Sequence, residues 1–93
     1  MNQVRDLLPE KEILAQLAEE CAELAQAALK LRRVLDGTNP TPKGEDECRE
    51  ALQEEIADVL VCLGELPDGA GERLAYWADA KRKRWLKRLE ERS

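Results

Sequence analysis

The sequence predicts an all-α protein, and three observations carry that expectation. Ala, Leu, Glu, Lys and Arg dominate its 93 residues while aromatic side chains make up only 3%, a composition rich in strong helix formers. Apolar residues return every three or four positions over long stretches, and the two-residue alternation of a strand is missing. Proline and glycine collect in a few short clusters that divide the chain into helix-length segments.

Residues 3–7 precede Pro9 and have room for a single helical turn. The first long helix is expected from about Glu10 to Leu35, with Ile13, Leu17, Cys21, Leu24, Ala28, Leu31 and Leu35 as its apolar stripe. It should end at "DGTNPTP", where Gly37 suits a helix C-cap and Pro40 and Pro42 forbid continuation. A second helix follows from roughly Glu45 to Leu66, carrying Leu52, Ile56, Val59, Leu60 and Leu63, until Pro67 and Gly69 in "LPDGAG" break it. The third covers about Ala70 to Glu91 and offers Leu74, Trp77, Trp85 and Leu89 for packing. Residues 1–93 read as one domain without internal repeats.

A single domain of this size buries only a little over ~60% of the surface it exposes when unfolded, so its core needs a supplement. Disulfides do not fit that role. The cysteines are three, Cys21, Cys48 and Cys62, with no CxxC pair and no histidine to complete a zinc site. Cys21 and Cys62 lie on or near apolar faces and are expected to be buried, whereas Cys48 lies in a charged stretch and is expected to be exposed. Reduced thiols, with neither a signal peptide nor an apolar run of membrane length, point to the cytosol and away from a membrane partner. Self-association is the supplement that remains.

Charge divides unevenly along the chain. Residues 1–80 hold 8 Lys/Arg against 18 Asp/Glu, a net of −10, and residues 81–93 hold 7 against 2, a net of +5. An acidic body does not suit a general nucleic-acid binder, whose positive surface should dominate. It suits a body that holds cations and a tail that holds phosphates.

Two stretches concentrate the acids. "EECAE" spans Glu19 to Glu23 and "EEIAD" spans Glu54 to Asp58, each in the middle of a predicted helix. Residues three apart on a helix project side by side, so Glu20 pairs with Glu23 and Glu55 with Asp58. Leu24, Ile56 and Val59 each directly follow one of these carboxylates, which sets the acids at the edge of an apolar stripe. Four carboxylates brought together there repel one another and resist desolvation. A hard divalent cation with oxygen ligands removes the conflict, and the absence of histidine favours Mg²⁺, with Mn²⁺ as a substitute, over zinc. Glu19 and Glu54 precede the inward pairs and should point further outward. The plainer alternative is that these pairs form solvated helix faces or partner basic residues on neighbouring helices.

The order EExxE, spacer, ExxD resembles the signature of the MazG-like all-α nucleoside triphosphate pyrophosphohydrolases. It appears here as "LAEECAELAQAALKLRR" followed by "LQEEIADVLVCL", with "KRKRW" late in the chain. The likeness runs from about Leu14 to Leu89, and the proline-bearing spacer is this sequence's own. It implies a three-helix chain whose four-helix-bundle core is completed by a homodimer or tetramer. It also implies hydrolysis of a nucleoside triphosphate, ribo- or deoxyribo-, to the monophosphate and pyrophosphate, as housekeeping of the nucleotide pool. Carried over by position, Glu20, Glu23, Glu55 and Asp58 would be the catalytic Mg²⁺ ligands. Glu19 and Glu54, by their own position on the helices, read as residues behind the ligands or at the surface, with a role as proton acceptor open to them.

The basic tail admits three readings. Lys81 and Arg84 lie three apart on one helical face and suit a phosphate clamp. Basic residues at a helix C-terminus also simply complement the macrodipole. A basic helix bearing Trp77 and Trp85 is, third, compatible with nucleic acid or an anionic surface. Two whole-protein alternatives stand beside the enzyme: a non-catalytic helical oligomerisation module, and a nucleic-acid-binding regulator acting through the tail.

Overall fold

The computed structural model describes residues 3–38 and 44–92. Its elements follow the punctuation of the sequence. A short turn, α1 (Val4–Leu7), leads through Pro9 into α2 (Glu10–Leu35). Then come α3 (Glu45–Gly64), a 3-10 turn (Pro67–Gly69) and α4 (Glu72–Arg92). No strand occurs among the described residues. Pro40 and Pro42 lie outside them; the end of α2 is secured before that point. Asp36 is its C-cap and Gly37 takes φ 75°. The Thr38 amide donates to the Arg33 carbonyl at 3.0 Å and the Gly37 amide to the Val34 carbonyl at 3.3 Å. Those two bonds form a Schellman cap, which needs a left-handed residue at the glycine position.

Helix α3 ends two residues before the expected Leu66, at Gly64 with Glu65 as cap. The chain then folds back so closely that a Cβ on Gly69 would lie 1.9 Å from the Leu63 carbonyl oxygen. Only glycine permits that approach. The same end of α3 holds α1: the Arg5 amide donates to Glu65 Oε1 at 2.9 Å and its guanidinium to the Gly64 carbonyl at 3.3 Å.

The core is the seam between α2 and α3. On α2 the buried or half-buried positions are Ile13, Leu17, Glu20, Leu24, Ala27, Leu31 and Val34; on α3 and just beyond it, the regular series is Cys48, Leu52, Glu55, Val59, Cys62 and Leu66. Both series alternate steps of four and three, the 3.5-residue period of paired helices. Burial therefore corrects parts of the expected stripes. Cys21 is exposed and Cys48 buried, the reverse of expectation, while Cys62 is buried as expected. Ala28, Leu35, Ile56 and Leu60 also lie outside the seam. For Cys21, Ala28, Leu35, Ile56 and Leu60 the reason is geometric, because a partner helix selects a narrower stripe than apolarity alone outlines. Cys48 is buried despite its charged neighbours because it lies one step before Leu52 on the seam.

Apolar residues displaced from the seam form second faces. Helix α3 presents Ile56, Leu60 and Val61 to solvent. Helix α4 has no buried residue, leaving Leu74, Tyr76, Trp77, Trp85, Leu86 and Leu89 exposed. It packs on neither α2 nor α3 to the extent that these pack on each other. The radius of gyration is 16.8 Å, against about 12 Å for a compact chain of this length. No helix among the described residues is long and apolar enough to cross a membrane.

Leu31 is 6% exposed, in the part of the seam that faces the start of α3. Its replacement by alanine should lower the unfolding free energy by ~2–4 kcal/mol, read from the shift in urea midpoint with the slope unchanged.

Candidate metal centre

Within the seam, one level breaks the apolar pattern on both helices. Glu20 and Glu55 occupy positions where the series would otherwise place a leucine or valine, and both are half-buried. Glu23 and Asp58 stand three residues further along their respective helices, at the exposed flank. Because α2 and α3 run antiparallel, the arrangement is nearly two-fold: Glu20 meets Asp58, and Glu23 meets Glu55. One carboxylate oxygen from each of the four lies within 4.8 Å of the others. The sequence expectation of four convergent acids is thus met in geometry, with one refinement. Glu20 and Glu55 are members of the buried stripe itself and do not merely border it.

Partners for this charge are few. Gln16 Nε2 donates to Glu20 Oε1 at 2.7 Å. Glu20 Oε2 and Glu55 Oε2 are shut away from solvent with no hydrogen-bond partner. Orphaned buried carboxylate oxygens are costly, and a native structure that keeps them calls for an explanation such as a bound ion.

The acidity of the cluster follows from this crowding. The Gln16 hydrogen bond lowers the pKa of Glu20, but burial, the charges of Glu23 and Asp58, and hydrogen bonding with Asp58 together outweigh it and raise the net value. Glu23 is raised chiefly by a hydrogen bond with Glu55 that only the protonated form can donate, then by the Glu55 charge and by desolvation. Burial first, then the charges of Glu20 and Asp58, pushes the Cys62 thiol up as well. Cys62 therefore stays a protonated, apolar neighbour and adds no soft ligand. Four hard oxygen donors fit a hard divalent cation.

Glu19 and Glu54 are exposed and outside the four-oxygen cluster. Lys81 and Arg84 are exposed on α4, and neither lines the cleft that adjoins the acids. That cleft, about 430 Å³, runs from Glu23 and Glu55 along one flank of the seam between Gln26, Ala27 and Lys30 on α2 and Glu47, Cys48 and Ala51 on α3. Sequence reasoning missed Gln16 and all of these cleft residues except Cys48, which it placed at the surface. A signal was present: Gln26 and Lys30 lie three and seven residues beyond Glu23, on the same helical face.

No protein-family model, curated protein or solved structure matches this chain.

Raised carboxylate pKa values carry a definite sign for stability. The folded state binds these protons more tightly than the unfolded one, so the cost is absent below the ordinary carboxylate value of 4.5 and grows as pH rises through the raised values. In chelator, Glu23→Gln should therefore gain melting temperature relative to wild type between pH 4 and pH 7. Equal differences at both pH values would contradict the coupling.

Proposed function

We propose that the protein is a cytoplasmic, Mg²⁺-dependent nucleoside triphosphate pyrophosphohydrolase, converting a (d)NTP to the (d)NMP and pyrophosphate in nucleotide-pool housekeeping. The observation that carries the reading is the pair of orphaned buried oxygens, on Glu20 and Glu55, inside a four-carboxylate cluster. The EExxE…ExxD order and its likeness to the MazG-like enzymes add the reaction class.

Each residue has a role in this reading. Glu20 and Glu55, fixed by the packing around them, and Glu23 and Asp58, at the accessible flank, hold Mg²⁺, with Mn²⁺ a possible substitute. When bound, the ion supplies charge neutralisation for the polyphosphate and lowers the pKa of a coordinated water. Gln16 donates to Oε1 of Glu20 and so restrains the rotation of that carboxylate. The proton released from the attacking water passes to a cluster carboxylate, or to Glu19 or Glu54 just outside it. Lys81 and Arg84 approach the substrate phosphates from α4, and with α4 apart from the α2–α3 pair, a neighbouring chain is the natural recipient of these charges.

Self-association belongs to the same reading, as a homodimer or a tetramer built from dimers. The chain exposes 7773 Å² at 10.5 kDa, where a folded monomer of that mass exposes about 5,400 Å². The excess is what a partner covering the second faces of α3 and α4 would remove, completing a four-helix core.

The exposed apolar faces also favour a second reading, a helical oligomerisation module without catalysis. The metal response separates the two. As an enzyme, the protein gains stability with Mg²⁺, by about 2.7 kcal/mol at a hundredfold excess over Kd. Pyrophosphate release should then require Mg²⁺ and vanish in Glu55→Gln with helicity retained by circular dichroism. A bare module shows no thermal shift with Mg²⁺ or Mn²⁺ and no turnover over a full panel of nucleotides.

A further inference from the structure

The cleft beside the acids is lined by small residues at its floor and by exposed polar side chains at its rim. Ala27, Cys48 and Ala51 are small, and their shortness opens the space between the helices. Three polar side chains stand around them: Gln26 and Lys30 on the α2 wall, Glu47 on the α3 wall. The register that sets Glu23 against Glu55 brings Lys30 level with Cys48 and Glu47, at the end of the cleft away from the acids. Lys30 is seven residues from Glu23, ~10 Å along the helix axis, which is the reach of a nucleoside from its α-phosphate to the far edge of its base. Among the described residues, neither Lys30 nor Glu47 has an ion pair or hydrogen bond of its own.

A carboxylate offers two adjacent acceptors, and a lysine or a side-chain amide offers donors. Guanine alone among the common bases presents two neighbouring donors, N1–H and the 2-amino group, beside an acceptor, O6. Adenine and cytosine place a ring nitrogen acceptor next to their amino group, which would face the second carboxylate oxygen unfavourably. Uracil and thymine offer a single donor between two acceptors. We infer that the cleft reads guanine: Glu47 accepts from N1–H and the 2-amino group, and Lys30 or Gln26 donates to O6. This rests on the pyrophosphohydrolase reading for the placement of the phosphates and adds the substrate class.

The test measures kcat/KM for GTP, dGTP, ITP, ATP, CTP and UTP with Mg²⁺, and in parallel the Kd of non-hydrolysable GTP and ATP analogues by calorimetry. Guanine should be favoured over the other bases by roughly 10- to 100-fold, the discrimination of one good bidentate contact. ITP, which lacks the 2-amino group, should fall below GTP. In Glu47→Gln the GTP-to-ATP ratio should collapse toward one in both measurements. Ala51→Leu, which fills the cleft, should weaken binding of the GTP analogue. Turnover without guanine preference, or a preference that Glu47→Gln leaves intact, overturns the inference while leaving the enzyme reading standing. Guanine-selective binding without turnover of any nucleotide does the reverse. Neither binding nor turnover sinks both.

Discussion

Mutual repulsion among carboxylates at one level of an otherwise apolar seam is the constraint around which this chain is organised. Glu20 and Glu55 occupy positions where burial should select leucine or valine, and each leaves an oxygen without solvent or partner. A helix pair held only by packing would have no reason to keep them, because two well-packed apolar residues would stabilise the seam more. The surrounding sequence accommodates them. Leu17, Leu24, Leu52 and Val59 stand one step to either side along the two series and keep the helices together where the acids push them apart. Stability is given up at one level, and that level is where cation chemistry becomes possible.

The helix boundaries were legible because they rest on local stereochemistry. Pro9 opens α2 and Gly37 closes it through a left-handed cap, and the close approach at Gly69 marks the turn after α3. Convergence of the four acids was legible for the same reason, since a three-residue spacing on a helix fixes direction. Burial was harder to read. A stripe traced through Cys21 and Ala28 follows apolarity, while the seam follows the 3.5-residue period imposed by a neighbour. That difference of a fraction of a residue per turn is enough to bring Cys21 out, whereas Cys48, one step before Leu52 on the seam, was hidden by its charged neighbours. Charge concealed the rest: apolar neighbours set Glu20 and Glu55 at the edge of the stripe, and only the series on either side places them within it.

Helix α4 shows where one chain's sequence stops being a guide. Its Trp77, Trp85 and Leu89 were expected to pack, and its amphipathic pattern is that of a helix with something to cover. Within the chain it covers little, and those side chains stay exposed. Its apolar side chains have the spacing of a packed face, yet none of its described residues is buried. The same holds for the apolar second face of α3, where Ile56 and Leu60 have the spacing of a core without its burial.

The near two-fold relation between α2 and α3 is broken at one atom group: Asp58 stands where symmetry with Glu23 would put a glutamate, and its stem is one methylene shorter. The open cleft adjoins Glu23 and Glu55, while Gln16 donates a hydrogen bond to Glu20 in the other half of the cluster. A nearly symmetric pairing of acids therefore frames a site whose two halves differ. An elongated guest lying in that cleft would meet the Glu23–Glu55 half of the cluster first, so a pairing built almost as a palindrome acquires a sense of direction.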